Sequence, residues 1–297
     1  MLLVLVQTFL ITNIAQSQEI CIVKSGDYSQ YNEAIEGFWV VMSSAGYIKE
    51  KGGCEYQLKK DNQSEIVQTI RNKKPKLVFT VGNSATEVFA KLDIPLVFAM
   101  VLDPVKYKIV DDLKNPGKNI TGVTLEVPIE QQFKAMKETI PEIKRVGVIY
   151  SFESAEFVAE GREIAKEMGL EIITQAVRKD DEVIKAFYRL LDSKIDILWL
   201  TTDSIVLRTE NRINLLKKAQ QKEIPVYGLT AAYLKGEAGA TLSVIPDYEN
   251  IGKEAGKLAM KVLAGKTNIA IQAPKKFIIC VKKNSVAKVP EGAMVVE

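Results

Sequence analysis

Short apolar segments alternate with amphipathic segments along nearly the whole chain, and this alternation constrains the fold more than any other feature. In the first series, strands are predicted at 20–23, 55–58, 77–81 and 96–99. Helices are predicted at 29–45 and 64–71, and a third is predicted to follow the break at 82–84 and to end at Phe89. The second series has predicted strands at 146–150, 171–175, 195–200 and 226–229, and helices at 156–168, 182–191 and 207–221. Because a segment rich in Pro and Gly, 115–128, separates the series, we expect two similar α/β lobes with mostly parallel sheets.

A further strand, a break and a helix are predicted near the end of the chain. The strand is rich in β-branched residues and stops at Pro246, which cannot continue a ladder. Asp247 is a favourable N-cap, and Gly265 stands where a C′ glycine ends a helix. We expect Gly252 and Gly256, four residues apart, to let this helix approach its neighbour closely.

The composition excludes several kinds of chemistry. None of the 297 residues is histidine, which removes Ser-His-Asp and Cys-His catalysis and histidine zinc sites. The sequence has no Walker or dinucleotide-type glycine loop. A net charge of +3 without a basic arm argues against nucleic-acid binding. Glu153 and Asp203 are a conceivable acid–base pair, but no nucleophile or metal accompanies them, so we expect no enzyme, no cofactor and no metal.

Residues 1–17 are apolar and are predicted to form a signal peptide, with small residues at Ala15 and Ser17 where a signal peptidase cleaves. The segment is short for a membrane span, which needs about 20 apolar residues. No Lys or Arg precedes Lys24, so the usual positive n-region is missing. An uncleaved anchor and a core strand therefore remain as alternatives to export.

The three cysteines, Cys21, Cys54 and Cys280, lack metal-like spacing. Cys21 opens the first predicted strand and Cys54 opens the second. These strands are neighbours in a doubly wound sheet, so a disulfide between them is geometrically possible. Two buried free thiols are the favoured alternative.

Polar and aromatic side chains follow the predicted strands of both lobes. In open α/β sheets, ligands bind beyond the carboxyl ends of the strands. Backbone amides at a helix start attract a carboxylate, although capping by Asn83 or Ser84 explains one such cluster equally well. The candidate ligand-binding residues of the first lobe are Asp27, Tyr28, Gly82, Asn83, Ser84 and Met100. Those of the second lobe are Tyr150, Ser151, Phe152, Glu153, Thr202, Asp203, Ser204, Thr230 and Tyr233.

Several segments together resemble the ABC-transporter substrate-binding family that includes tryptophan- and tyrosine-type binding proteins. They are PLVFAMVLDPV at 95–105, NITGVT at 119–124, VIY at 148–150, LWLTTDS at 198–204, IPVYG at 224–228 and YENIGKEAG at 248–256. The likeness runs from about residue 20 to 287. The sequence departs from the family pattern after Tyr150, where it reads Ser-Phe-Glu rather than Asn-Pro, and at Lys283, where an Asn is common.

The resemblance implies the type I periplasmic binding protein fold, with two Rossmann-like lobes joined by three hinge crossings around an interlobe ligand cleft. The lobes would comprise 19–124 with 246–279, and 125–245 with 280–297. It further implies a monomer outside the cytoplasm, in the periplasm or extracytoplasmic space. The protein would capture a small solute, an amino acid or other small carboxylate, and deliver it to an ABC permease with its ATPase. A ligand-sensing module of a regulatory system is the alternative function.

The residue types suggest how such a solute is held. Helix starts near Ser84 and Ser204 favour a carboxylate. An ammonium group would pair with Asp27, Glu153 or Asp203. On this basis Asp203→Ala is expected to weaken binding without unfolding. Aromatic rings available for stacking are those of Tyr28, Tyr31, Phe152 and Tyr233.

Overall fold

The computed structural model describes residues 20–47, 53–117, 119–286 and 289–297. These residues divide into two compact units, each built from separate stretches of chain. The first unit runs to Val123 and resumes over Gly252–Gln272, and the second consists of Thr124–Ile251 and Ala273–Glu297. The predicted signal peptide, 1–17, lies outside the described residues.

The first unit contains a five-stranded sheet in the order β2-β1-β3-β4-β5. Its strands are β1 (Ile20–Lys24), β2 (Gly53–Gln57), β3 (Leu77–Val81), β4 (Leu96–Val101) and β5 (Ile120–Thr124). β1 pairs in parallel with β2 and β3, and β3 with β4. Every residue of β3 and β4 is buried, as expected for central strands covered on both faces.

Three helices connect these strands: α1 (Ser29–Ser44), α2 (Gln63–Lys73) and α3 (Asn83–Phe89). Ala34, Ile35, Phe38 and Met42 are buried and form the apolar face of α1. Phe38 stacks on Phe79 of β3 with ring centroids 4.1 Å apart, so α1 packs directly on the sheet.

The second unit contains a seven-stranded sheet in the order β12-β11-β10-β9-β8-β6-β7. Its strands are β6 (Arg145–Tyr150), β7 (Glu171–Ala176), β8 (Ile197–Trp199), β9 (Val226–Gly228), β10 (Leu242–Pro246), β11 (Phe277–Lys282) and β12 (Met294–Val296). Its helices are α4 (Ile129–Thr139), α5 (Ala155–Glu167), α6 (Val183–Asp192) and α7 (Thr209–Gln221). Separate apolar clusters, one around Phe187 and Leu215 and the other around Phe133 and Trp199, cover the sheet.

Each predicted strand and helix is present, with ends shifted by a few residues. The segment 115–128, expected only to separate the lobes, contains β5, and α4 follows it without having been predicted. The strand predicted at 195–200 shortens to β8. Pro246 is the last residue of β10, opposite Phe277 of β11, rather than lying beyond the strand.

The predicted lobe boundaries differ from the two compact units at Thr124 and over two short stretches. Residues 246–251 and 273–279 were assigned to the first lobe but belong to the second unit. The reason is the antiparallel pairing of β10 with β11, which places Ile278 and Ile279 opposite Ile245 and Val244 in the second sheet.

Cys21 and Cys54 form a disulfide bond, so the favoured expectation of two free thiols is wrong. The residues are directly opposed in the parallel register of β1 and β2, with their Cα atoms 4.6 Å apart. That separation lies within the usual disulfide range. Cys280 is a buried free cysteine, and burial raises the pKa of its thiol.

The helix after β10, α8 (Tyr248–Leu263), begins and ends as predicted. The Asn250 amide donates to the Asp247 carboxylate over 2.9 Å, which makes Asp247 the cap. Gly265 has a φ of +82°, the left-handed conformation of a C′ glycine. Gly252 and Gly256 face α1 of the first unit, and a Cβ atom at Gly252 would overlap the Ala34 carbonyl oxygen.

We expect Gly252→Ala to lower the free energy of unfolding by about 2–3 kcal/mol, because the new methyl group meets rigid backbone. This cost exceeds the roughly 1 kcal/mol that alanine gains over glycine in helix propensity. Urea unfolding measures the difference, with Lys257→Ala on the exposed side of the same helix as the control. A Gly252→Ala chain as stable as the control would contradict the close packing of α8 on α1.

Candidate functional site

In each unit, the candidate residues lie at the last residues of parallel strands, as Met100 and Tyr150 do, or in the loops and helix starts that follow those strands. In the first unit they follow β1, β3 and β4, and in the second they follow β6, β8 and β9. The carboxyl ends of parallel strands meet at one edge of a sheet. Each sheet therefore presents one cluster of candidate residues, which we call the first and second strand-end clusters.

The first strand-end cluster is built around Gly82, which precedes α3 with a φ of +89°. A Cβ atom here would overlap the Tyr31 hydroxyl and lie 2.9 Å from the Ser25 hydroxyl, so only glycine lets these groups approach the helix start. The Ser25 hydroxyl accepts a hydrogen bond from the Ala85 amide over 2.9 Å. The expectation that Asn83 or Ser84 caps this helix is wrong, since both lie inside α3 and Ser25 supplies the acceptor.

Two tyrosines flank this loop. Tyr28 is 60% exposed and meets the ring of Tyr31 edge-on, with centroids 5.2 Å apart. Burial, and then the neighbouring Tyr28, raises the pKa of Tyr31. Tyr31 is therefore a neutral hydroxyl at physiological pH, and Tyr28 presents an aromatic surface to solvent.

Asp27 lies beside Tyr28 and is exposed. The ammonium group of Lys24 donates to its carboxylate over 2.9 Å. This hydrogen bond and the charge of Lys24 lower the pKa of Asp27. Because Asp27 already has a cationic partner, it is a poorer candidate for holding the ammonium group of a solute than the sequence suggested.

Met100 is buried near the end of β4 and has a φ of +63°. A non-glycine residue in this conformation is strained and persists only where its surroundings hold it. The preceding Ala99 carbonyl accepts a hydrogen bond from the Gly82 amide over 2.9 Å. Met100 thus lies beside the loop at Gly82.

Asp203 organises the second strand-end cluster from within. It is fully buried, and its carboxylate accepts hydrogen bonds from the Ser151 amide and the Ser154 hydroxyl, both at 2.6 Å. It also accepts bonds from the Ile205 and Val206 amides, both at 3.0 Å. Asp203 therefore joins the loops after β6 and β8, which differs from its predicted role of holding an ammonium group.

The pKa of Asp203 reflects these bonds. Burial favours the neutral acid and raises the pKa, but the hydrogen bonds from Ser154, Ser151 and the Val206 amide outweigh burial and lower it. Asp203 is therefore ionised at neutral pH although it is buried, and its carboxylate is hydrogen-bonded to donors within the same unit.

The loop after β6 presents an aromatic ring on a rigid base. Phe152 is 97% exposed, while Ser151 and Ser154 on either side of it are buried. The Ser151 hydroxyl accepts a hydrogen bond from the Glu153 amide, and the Glu153 carboxylate accepts one from the Ser204 amide over 3.1 Å. Phe152 therefore presents nearly its whole ring to solvent.

The rest of the second cluster lies on the loops after β8 and β9. Thr202 and Thr230 are exposed, as a ligand-binding role requires. The Thr201 hydroxyl beside Thr202 is buried and makes no hydrogen bond within the described residues. Tyr233 is half-buried, and one face of its ring is covered by Arg212 of α7, 4.8 Å from the centroid. Arg212 was not among the predicted site residues, since it lies inside a predicted helix.

Two cavities of the second unit are separate from these clusters. The larger, of about 440 Å³, is lined by Phe277, Lys134, Lys276 and Glu291 among other residues. The other, of about 310 Å³, is lined by Phe157 and neighbouring residues. Neither is lined by a predicted ligand-binding residue.

The described part of the chain contains no helix that is both long enough and apolar enough to cross a membrane. Within the same residues, no three Cys, Asp or Glu side chains are grouped so that they would hold a metal ion.

This chain is similar to several known proteins. The tyrosine-binding protein of Clostridioides difficile strain R20291 is 26% identical over 266 residues, covering 86% of this chain and 75% of that protein. The ligand-free, open structure of a Clostridium difficile substrate-binding protein with adhesive properties matches with a TM-score of 0.77 at 22% identity, covering 94% and 99% of the two chains. The structure of an ABC domain from Streptococcus pneumonia in complex with L-Trp matches with a TM-score of 0.60 at 22% identity, covering 93% and 99%.

The sequence model of the family described as ABC transporter substrate binding protein matches residues 20–289, most of the chain. The likeness to these solved structures confirms the predicted type I periplasmic binding protein fold. The chain belongs to the ABC transporter substrate-binding protein family.

Proposed function

We propose that the protein is the extracytoplasmic solute-binding component of an ABC importer and that its solute is an aromatic amino acid. The observation that carries the choice of solute is Phe152, a 97% exposed ring at the end of a parallel strand. Tyr28 offers a second exposed ring at the strand ends of the other unit. Aromatic rings stack favourably on one another. Relatives named for tyrosine binding and solved with L-Trp support the same class of solute.

The proposed mechanism is capture by closure. A solute that contacts both strand-end clusters gains its full set of interactions only when both engage it, so binding favours the closed population. Glycine-dependent packing at Gly82 and the Asp203 network at the second cluster hold the contact groups in place before the solute arrives. The loaded protein would then deliver the solute to a permease driven by an ATPase. Export through residues 1–17 and action as a monomer belong to this proposal.

A thermal-shift panel of amino acids and small carboxylates tests the choice of solute. L-tyrosine or L-tryptophan at one hundred times its Kd is expected to stabilise the protein by about 2.7 kcal/mol, whereas alanine and glutamate give no saturable shift. Phe152→Ala is expected to weaken binding by about 10-fold, the loss of one stacked ring, without changing the unfolding midpoint of the ligand-free chain.

Tyr188→Ala is the matched control, because Tyr188 is also an exposed aromatic residue but lies in α6. It is expected to bind the solute as the wild type does. Stabilisation by a non-aromatic solute alone, or equal affinities in Phe152→Ala and wild type, would contradict the aromatic assignment.

A ligand-sensing module of a regulatory system is the alternative predicted from the sequence. Such a module would remain with its signalling partner, whereas an importer component is exported. Cell fractionation separates the two: recovery of the protein in the cytoplasm alone would favour the sensor.

A further inference from the structure

Arg212 and Tyr233 form a stacked pair beside the second strand-end cluster. Arg212 lies in the first turn of α7, and Tyr233 lies in the 3₁₀ helix Ala231–Leu234 that follows β9. The guanidinium carbon is 4.8 Å from the ring centroid, and Nη1 donates to the Tyr233 hydroxyl over 3.4 Å. Both side chains are half-buried, so the pair is held in place but reaches solvent.

Arg212 is not neutralised by Asp180, the acidic residue that pairs with nearby Arg208. Asp180, which follows β7, pairs with Arg208 through one carboxylate oxygen and accepts a hydrogen bond from Asn211 through the other, at 2.8 Å. Asn211 also donates to the Ile205 carbonyl over 2.7 Å. Arg208 thus forms an ion pair with Asp180, whereas Arg212, one helical turn later, pairs with no carboxylate among the described residues.

The chemistry of this pair suits a carboxylate. A guanidinium group presents several N–H donors in one plane and binds carboxylates through two parallel hydrogen bonds. Stacking on Tyr233 fixes that plane before a ligand arrives. The Tyr233 hydroxyl accepts from Arg212 and keeps its own O–H as a further donor to the same anion.

We propose that Arg212, oriented by Tyr233, binds the carboxylate of the solute in the second unit and so makes the protein selective for acids over the corresponding amines. The proposal rests on the proposed function, because it takes the solute to be an aromatic amino acid. It assigns the carboxylate to a helical side chain, whereas the sequence assigned it to the helix starts near Ser84 and Ser204. Thr230, the residue before the 3₁₀ helix that carries Tyr233, is exposed to solvent.

Calorimetric titration with L-tyrosine and with tyramine, which lacks the carboxylate, tests the proposal. The wild type is expected to bind tyrosine at least 100-fold more tightly than tyramine. Arg212→Gln is expected to weaken tyrosine binding by about 10- to 100-fold while leaving tyramine affinity unchanged, since hydrogen bonds to a charged group are lost for the acid alone. Arg212→Lys should recover part of the loss, and Tyr233→Phe should lose less than Arg212→Gln.

Arg208→Gln is the matched control, because it removes the arginine at the N-cap of the same helix, which is already paired with Asp180. It is expected to bind tyrosine as the wild type does, and thermal unfolding of both variants reports any loss of folding. Two results would overturn the role of Arg212 while leaving the proposed function intact. One is unchanged tyrosine affinity in Arg212→Gln, and the other is an equal loss of affinity for tyrosine and for tyramine. A wild type that binds neither compound, nor tryptophan, would instead overturn the proposed function and this inference with it.

Discussion

Reduction of the Cys21–Cys54 disulfide is expected to lower the free energy of unfolding of the first unit by about 3–4 kcal/mol. The bond joins residues 33 apart in sequence, and closing a loop of this size removes conformational entropy from the unfolded chain. It ties β2, the edge strand of the five-stranded sheet, to its neighbour β1. Urea unfolding with and without dithiothreitol measures the effect.

The control for this experiment is the Cys21→Ala/Cys54→Ala chain, which should be insensitive to dithiothreitol and about as stable as the reduced wild type. The second unit contains only Cys280 among the described cysteines, so its unfolding transition should not move with the reductant. Identical unfolding curves for oxidised and reduced wild type would contradict a stabilising role for the bond.

Asp203→Ala is expected to lower the free energy of unfolding of the second unit by about 3–5 kcal/mol. The substitution leaves four donors without their acceptor: the amides of Ser151, Ile205 and Val206 and the Ser154 hydroxyl. This outcome differs from the effect expected from sequence, a loss of binding without unfolding. Asp181→Ala is the control, since its carboxylate is exposed and its ion pair with Lys179 contributes at most about 1 kcal/mol.

The same carboxylate predicts a pH dependence. Its pKa is lower in the folded protein than in the unfolded chain, so its contribution is complete above the unfolded pKa of about 3.9. It is lost as the pH falls further, through the folded pKa. Chemical unfolding between pH 3 and 6 should therefore show that the free energy of unfolding falls less on acidification in Asp203→Asn than in the wild type. Parallel curves for the two chains would contradict this role of Asp203.

The sequence predicted the fold well because its signals are local. Strands such as Leu77–Val81 are continuous apolar runs, and the limits of α8 follow from Asp247 and Gly265, which act within one turn. The boundary between units depended instead on the pairing of β10 with β11, residues more than thirty positions apart. No local pattern specifies that pairing, and the predicted boundary failed there.

The sequence located the strand ends, but it did not specify what each side chain there does. Strand ends could be located, so Phe152 and Tyr28 were named and both prove exposed. The two carboxylates of the second cluster differ in burial, since Asp203 is enclosed whereas Glu153 is exposed. The sequence does not reveal this difference, because no local pattern marks the burial of a single polar residue. Arg212 was missed because its partner Tyr233 is brought to it only by the tertiary fold.

The most direct test of solute capture is calorimetric titration of L-tyrosine into purified protein. Bound solute is first removed by unfolding the oxidised protein in denaturant, dialysing and refolding. The proposed function predicts saturable binding of one tyrosine per chain, with competition by L-tryptophan and none by alanine. Refolded protein that gives no binding heat with tyrosine or tryptophan, although its circular dichroism and unfolding transitions match the untreated protein, would contradict the proposal.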